Sequence, residues 1–271
     1  MNSTIKLLRE QIGSAYLIKR LSIFQMKSNN SNHYLGMAWE IINPIIQLLI
    51  YWFVFGIGIR GGEDVNGVPF VYWLSIGMFV WFFFNAAAMN GSRSIHSRLN
   101  LISKMNFPVS AIPSFVILSS FYQHLFLGTF LTIIYIIFAG GISIYFIQLP
   151  YYMFALVSFI FAFALIFSTL TTVVRDIQTG LRSVIRMLLY LTPILWTTDS
   201  LPESMKNLVE TILKINPLYY IVEGYRDAFI GGRWFFEDVG YTLYFWTLVI
   251  CMLIVGASLH MKFKKHFVDY L

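Results

Sequence analysis

The composition of this 271-residue chain excludes a water-soluble domain. Apolar residues make up 58% of the chain and charged residues 12%, whereas a soluble domain carries about 25% charged residues and fewer apolar ones. Intrinsic disorder requires low hydrophobicity and is also excluded. The single cysteine, Cys251, excludes a disulfide framework and a multi-cysteine zinc site. A formal charge of +6 can indicate nucleic-acid binding, but in so apolar a chain a membrane explanation has to be tested first.

The first 35 residues are predicted to form an amphipathic segment at the cytoplasmic membrane surface. Ile5, Leu8 and Ile12 recur at helical spacing, with Lys6 and Arg9 between them. This pattern is typical of a basic helix that lies in the membrane plane. A cytosolic helix that packs on protein would show nearly the same pattern, so both interpretations remain.

Six apolar stretches follow, and each is long enough to cross a bilayer, which takes about 20 residues. Residues 105–174 contain no Asp, Glu, Lys or Arg over 70 positions, so this run must cross twice. Continuous apolar runs favour helices over the alternating strands of a barrel. We predict an all-α integral membrane protein with one transmembrane domain over residues 36–271. Its spans are 36–59, 68–89, 109–139, 142–174, 177–198 and 239–261.

The basic residues predict the orientation of these spans. Fourteen of the 19 Lys and Arg residues fall in the N-terminal arm, the second and fourth connections and the C-terminal tail. The positive-inside rule therefore places both termini in the cytoplasm. Nine of the 13 acidic residues fall on the opposite side. Because the excess positive charge is a topology signal, we expect no nucleic-acid partner.

Two connections are predicted to be helical. In the cytoplasmic connection 92–104, Ile95, Leu99 and Ile102 share one helical face, which can dock on a soluble partner or pack on the protein's own spans. Between the fifth and sixth spans, 201–214 and 217–230 are predicted as two outer amphipathic helices. They are too short and too polar to span, so they are either re-entrant or lie on the outer surface.

Motifs for catalysis or nucleotide binding are missing from the sequence. A G-x-G-x-x-G run begins at Gly56, but it ends a predicted membrane helix rather than following a strand. No phosphate-binding loop, metal-ligand spacing of histidines or G-x-S-x-G motif occurs. We therefore expect no catalytic residue, metal or cofactor in this chain, and any ATP hydrolysis must occur in a partner.

Arg186 is predicted to lie one to two helical turns inside the fifth span. A charge near the centre of a span costs roughly 2.5–3.5 kcal/mol and usually faces a cavity or a partner. Arg186 either extends to the cytoplasmic interface or contacts a substrate, and the sequence favours neither interpretation.

Several short runs follow one another in a characteristic order and span most of the chain. They are Tyr34-Leu35-Gly36-Met37-Ala38-Trp39-Glu40-Ile41-Ile42-Asn43-Pro44, Asn106-Phe107-Pro108, Val174-Arg175-Asp176, Thr192-Pro193-Ile194-Leu195-Trp196 and Asn216-Pro217-Leu218-Tyr219-Tyr220, followed by Glu223, Tyr225 and Arg226. In this order they resemble ABC-2-type permeases that export polysaccharides. Two fuller runs, Gly67-Val68-Pro69-Phe70-Val71-Tyr72-Trp73 and Ser103-Lys104-Met105-Asn106-Phe107-Pro108, most closely resemble the permeases that translocate wall teichoic acid in Gram-positive bacteria.

This resemblance implies a homodimer in the plasma membrane, bound to two copies of a separate ATPase that holds ATP and Mg²⁺. It implies transport of an undecaprenyl-diphosphate-linked polymer, with the outer helices near the exit. Residues 92–104 would be a coupling helix that contacts the ATPase, and the N-terminal helix would lie at the same interface. The coupling residues would be Arg93, Arg98, Leu99 and Lys104.

An anionic, hydrated polymer needs sliding contacts and occasional cations rather than a tight pocket. Aromatic rings supply such contacts without a fixed charge, and arginine binds a diphosphate bidentately. The candidate pathway residues are Trp73, Trp81, Phe82, Arg175, Arg186, Tyr219, Tyr220, Glu223 and Arg226.

Export of a teichoic acid is therefore the function that the sequence favours. The alternatives are an ABC-2 permease for capsular or O-antigen-type polysaccharide, or one for drugs or lipids. A membrane-embedded transferase is an alternative of another class, and it would need converging His, Asp or Glu residues inside the membrane. A structural membrane subunit without a transport path is a further alternative.

Overall fold

A computed structural model describes residues 2–30, 34–99, 108–138, 141–198, 201–264 and 267. Across these ranges the chain is helical and contains no extended strand, apart from an isolated β-bridge between Val65 and Val68. The described ranges contain ten α-helices, which are α1 (Asn2–Gly13), α2 (Ala15–Asn30), α3 (Trp39–Tyr51), α4 (Phe70–Ser92), α5 (Ala111–Phe138), α6 (Leu149–Val173), α7 (Asp176–Leu191), α8 (Glu203–Ile215), α9 (Pro217–Ile230) and α10 (Val239–Phe263).

Five segments in the described ranges are long and apolar enough to cross a membrane. They are Gly36–Ile59, Phe70–Ser92, Ala111–Phe138, Ile144–Val173 and Val239–Phe263. The first joins a short 3₁₀-helix, α3 and a π-helix over Trp52–Ile59, and the fourth adds the 3₁₀-helix Ile144–Gln148 to α6. The prediction of an all-helical, multi-pass membrane protein is confirmed at this level.

The predicted fifth span, 177–198, is not one of the five. Its helix, α7, has 16 residues and ends at Leu191, which gives a length of about 24 Å against a hydrocarbon core of about 30 Å. Thr192 adopts an extended backbone (φ −81°, ψ 133°), because the ring of Pro193 disfavours the helical conformation in the residue before it. A turn therefore replaces the last part of the predicted helix.

The central element of the fold is α4, in which 16 of 23 residues are buried. It packs against α5, α6 and α9. A helix that is apolar on all sides requires such a position. α9 is also largely enclosed, with nine of its 14 residues buried, and it packs between α4 and α6. Of the two predicted outer helices, α9 is therefore an internal element, whereas α8 buries only Leu213 among its described side chains.

The N-terminal helices pack on the same end of the bundle as the C-terminal end of α10. α1 packs on α10 and α2 on α5. Leu7 is fully buried, and Lys264 donates to Glu10 Oε2 at 2.8 Å. On the other side of α1, Ile5 and Ile12 are exposed. The predicted amphipathic segment thus packs on protein along one face and leaves an apolar face uncovered.

A Gly224→Ala substitution should destabilise the protein, because α9 and α6 are in direct contact at this position. A methyl group on Gly224 would overlap the ring of Tyr152. We expect a loss of about 2–3 kcal/mol in the free energy of unfolding, measured by denaturation of the purified protein in detergent. Gly180→Ala on α7 is the control, because nothing lies within 4 Å of the added methyl group. An equal loss in both variants would contradict the packing described.

The ion pair between Glu10 and Lys264 should make stability depend on pH. Burial alone would raise the pKa of Glu10, but hydrogen bonds from Lys264 and Ser110 and the charge of Lys264 outweigh it and lower the pKa. A lowered pKa means that the pair stabilises the fold above the pKa of the unfolded carboxyl group, and that this contribution is lost as the pH falls through the folded value. Glu10→Gln should therefore cost about 1 kcal/mol at pH 7 and less at pH 4.

Thermal unfolding at the two pH values measures this difference. Lys264→Gln should cost about as much as Glu10→Gln at pH 7, and the double variant should cost little more than either single variant. Additive losses, or a loss from Glu10→Gln that does not shrink at pH 4, would show that the two side chains do not stabilise each other.

Candidate functional site

Two small cavities with polar lining lie around α9, at the end of the bundle opposite the described terminal helices. The first, which we call the Arg226 cavity, has a volume of about 120 Å³ and is lined by Val65, Asn66, Trp73, Pro193, Thr197, Thr198, Tyr219, Glu223 and Arg226. The second, the tyrosine cavity, has a volume of about 70 Å³. Tyr219 and Glu223 line both cavities.

Arg226 is the buried cation of the first cavity, with only 4% of its surface exposed. Its guanidinium carbon lies 3.4 Å from the centre of the Trp73 ring. Its Nη1 donates to Glu223 Oε1 at 2.6 Å. A buried charge is tolerated only when it is paired and well packed. Here the carboxylate of Glu223 pairs with the guanidinium, and the ring of Trp73 packs against it.

The surface of α4 is shaped to receive this guanidinium. Gly77 lies one helical turn after Trp73, and a Cβ atom there would lie 2.8 Å from Arg226 Nη2. Any larger residue at position 77 would push the side chain away from the ring. Arg226 Nε and Nη2 are buried and have no hydrogen-bond partner among the described residues.

A second arginine contacts the wall of the Arg226 cavity. Arg60 follows the π-helix at the end of the first span, and its Nη1 donates to Thr197 Oγ1 at 2.8 Å. Its guanidinium carbon lies 5.4 Å from the centre of the Phe70 ring. Arg60 therefore holds the turn after α7 against the start of α4, close to the cavity that Thr197 lines.

The tyrosine cavity combines phenol groups with carboxylates. Tyr220 Oη lies 2.8 Å from Tyr151 Oη and 3.1 Å from Thr242 Oγ1. Asp227 lines the same cavity. Burial, with a smaller contribution from the negative charge of Glu223, raises the pKa of Asp227 to about 6. This cavity therefore offers hydroxyl groups and a carboxyl group whose pKa burial raises.

The structure brings together four of the nine predicted pathway residues. Trp73, Tyr219, Glu223 and Arg226 line the Arg226 cavity. Tyr220 lines the neighbouring tyrosine cavity.

The other four predicted pathway residues lie elsewhere. Trp81 is buried in the core, 5.8 Å from Phe84 between ring centres. Phe82 lines an apolar cavity of about 60 Å³ that residues of α3, α4 and α5 enclose. Arg186 is exposed on α7, and Arg175 is exposed just before this helix begins.

The predicted coupling helix over 92–104 differs from the structure. Ser92 is the last residue of α4 rather than the start of a new helix, and the next element is a short 3₁₀-helix over His96–Arg98. Leu99 is buried in a cluster with Ile18 of α2 and Phe115 of α5. The apolar face predicted in this loop therefore packs on the protein itself. Lys104 and Ile102 lie outside the described residues.

The two arginines of this loop have different surroundings. Arg98 donates to Gln25 Oε1 of α2 at 2.9 Å, and its guanidinium carbon lies 5.1 Å from the centre of the Phe115 ring. Arg93 is exposed, and within the described part of the chain its hydrogen bond is a local one, to Asn90 Oδ1 at 3.0 Å. Arg98 thus belongs to the packing of the loop, whereas Arg93 is available on its surface.

Three residues at the cavities were not singled out from the sequence. Gly77 carries a weak signal, since it lies four residues after Trp73 and thus on the same face of a helix. Arg60 is the charge at the end of the first span, and Asp227 directly follows Arg226. The proximity of Gly77 to Arg226 depends on how α4 and α9 cross, and the position of Arg60 depends on how the first span meets the turn after α7. Periodicity reveals neither.

Comparison with known proteins places the chain in a family. Residues 16–230 match the ABC-2 type transporter family. The chain is 30% identical over 250 residues to an O-antigen export system permease protein RfbA of Klebsiella pneumoniae, covering 91% of each chain. A second RfbA of this organism is 30% identical, with 87% of each chain covered.

A third relative extends the similarity to another organism. The O-antigen export system permease protein RfbA of Myxococcus xanthus is 21% identical over 230 residues, with 84% of this chain and 86% of the relative covered. The family match includes α4, the turn after α7 and α9, all of which line the Arg226 cavity, and the five candidate spans agree with a multi-pass membrane protein. This chain belongs to the ABC-2 type transporter family.

Proposed function

We propose that this protein is the membrane subunit of an ABC exporter that moves a lipid-linked polysaccharide of the O-antigen type from the cytoplasm to the outer face of the membrane. The observation that carries this proposal is the similarity to two O-antigen export permeases along about nine tenths of both chains. Because the sequence contains no phosphate-binding loop, the ATP hydrolysis that drives export takes place in a separate ATPase subunit.

The relatives favour a polysaccharide over the teichoic acid that the sequence resemblance suggested. All three carry the O-antigen name, and none supports a teichoic acid or a Gram-positive source. The proposed substrate is therefore a sugar polymer on a lipid carrier, which was the first alternative considered from the sequence.

The proposed topology keeps six crossings and both termini in the cytoplasm. In this arrangement α7 and the turn after it form the fifth crossing. The cluster that joins α1, α2 and the end of α10 then lies on the cytoplasmic side, and the two cavities around α9 lie on the outer side. This orientation agrees with the distribution of basic residues.

The exposed face of α7 supports a homodimer with the polymer path beside this helix. Arg182 and Arg186 are four residues apart and both exposed, so they lie on one face. A pair of arginines at such a position is costly against lipid. A second copy of the chain and a hydrated polymer path would satisfy these charges, and Arg175 at the start of the helix would extend the same row.

Reconstitution with the partner ATPase tests the proposed function directly. Lipid-linked O-antigen polysaccharide should stimulate ATP hydrolysis by the complex in proteoliposomes, because substrate binding and hydrolysis are coupled in a transporter. A lipid-linked polyol-phosphate polymer and a hydrophobic drug are the comparison substrates. Equal stimulation by the drug, or stimulation by the polyol-phosphate polymer alone, would overturn the assignment to polysaccharide.

The loop after α4 should contact the ATPase through Arg93. Arg93→Glu should lower polymer-stimulated hydrolysis by roughly threefold or more, because an exposed charge at an interface affects association without supporting the fold. Thermal unfolding of this variant should match the wild type. Arg98→Glu should instead lower the unfolding temperature, because Arg98 packs on Gln25 and Phe115.

Lys206→Glu on α8 is the control for this experiment, because it reverses a charge at the opposite end of the bundle. It should leave stimulation unchanged. Full stimulation in Arg93→Glu, with the ATPase still bound, would exclude Arg93 from coupling.

A further inference from the structure

The guanidinium of Arg226 has one edge that nothing in the described protein uses. Its face stacks on Trp73, and its Nη1 bonds Glu223. The remaining nitrogens, Nε and Nη2, are both buried without a partner among the described residues. These two atoms lie on the same edge of the planar group, and their N–H bonds are nearly parallel. This is the edge with which arginine binds a carboxylate or a phosphate bidentately.

Leaving this edge unpaired is unfavourable. A buried donor without a partner loses its hydration and gains nothing in return, and the loss is larger for a charged group. Buried polar groups in proteins are nearly always bonded. The protein nevertheless keeps the guanidinium in place with an aromatic ring and a glycine, Gly77, that admits it.

The size and lining of the cavity limit what can reach Arg226. A volume of about 120 Å³ corresponds to about four water molecules at their liquid volume, well below the roughly 300 Å³ of a small-molecule pocket. A single carboxylate or phosphate group fits such a space, whereas a whole sugar ring does not. Asn66, Thr197 and Thr198 contribute polar groups to the lining.

The charges around the cavity balance, so the free edge of Arg226 decides what binds. Among the lining residues, Arg226 and Glu223 are the charged ones, and Glu223 is 34% exposed and bonds Nη1. Arg60 adds a cation behind Thr197, and Asp227 adds a second carboxylate close enough to act on Arg226. An oxyanion is favoured because it can pair both unpaired N–H groups at once.

We propose that the Nε–Nη2 edge of Arg226 binds one oxyanion, a carboxylate or a phosphate carried by the exported glycan, on the outer side of the membrane. This inference rests on the proposed function for the source of the ligand. Nε and Nη2 are buried in this structure, with Nη2 beside Gly77, so an oxyanion reaches them only when the packing around the guanidinium opens. The site would hold the emerging polymer by one group at a time, which suits a chain that must slide.

Thermal unfolding of the purified full chain in detergent tests the site with defined probes. Glucuronate and glucose 1-phosphate, at constant ionic strength, should raise the unfolding temperature saturably by roughly 2–4 °C. Neutral glucose should not. Arg226→Lys keeps the charge but lacks the bidentate edge, and it should lose the shift. Lys214→Gln, which removes a cation from the neighbouring tyrosine cavity, should retain it.

Glu223→Gln provides an independent test if the Arg226 variant does not fold. Without its carboxylate partner the guanidinium is unpaired, so an added oxyanion should produce a larger rise than in the wild type. An unchanged or smaller rise in Glu223→Gln would overturn the proposal. So would the same rise in Arg226→Lys, the same rise with chloride alone, or a rise that only an anionic phospholipid produces.

The outcomes separate this inference from the proposed function. If lipid-linked polysaccharide stimulates the ATPase but no oxyanion stabilises the permease, the site is wrong and the function stands. If oxyanions stabilise the permease through Arg226 but no polysaccharide stimulates hydrolysis, the proposed function is wrong and the site stands.

Discussion

Close contact around α4 is the constraint on which the rest of the structure depends. In a membrane the lipid is as apolar as the side chains, so helices associate by fitting closely rather than by escaping water. Three crossings show how close the fit is. A methyl group would lie within 3.0 Å of a neighbour at Gly77 and Gly91 of α4, and at Gly128 of α5 where it faces Phe79. Each glycine thereby fixes the position of the helix opposite.

This packing explains how the charged side chain of Arg226, on α9, can be buried against the first turns of α4. Trp73 and Gly77 are on one face of a helix that has little freedom to move. Arg226 is held against that face by α9, which is enclosed between α4 and α6. His124 of α5 connects α4 and α9 from the other side. The centre of its ring lies 3.9 Å from the centre of the Phe79 ring, and its Nε2 lies 3.1 Å from the Oη of Tyr225, the residue before Arg226. The cavity is therefore supported by three helices.

Composition and charge were enough to predict the general fold, because crossing a bilayer requires long uncharged helices and leaves basic residues at their ends. They could not predict where α7 ends, because a proline such as Pro193 can either kink a helix or end it. They also assigned Ser92 to the start of a helix that it ends. Both errors concern the local backbone at a boundary. Trp73 and Arg226 were both predicted as pathway residues, but the stacking of one on the other and the positions of Gly77 and Arg60 follow only from how the helices pack.

The contact between the first and last helices has a consequence for biosynthesis. Leu7 of α1 is buried against Leu165 of α6 and Ala257 of α10, and Glu10 pairs with Lys264 at the end of α10. A ribosome makes α1 long before it makes α10. The surface on which α1 packs is therefore incomplete until the final helix has inserted. Docking of α1 would mark the completion of the bundle, and a permease that stalls during insertion would keep this amphipathic helix free on the membrane surface, where quality-control factors can recognise it.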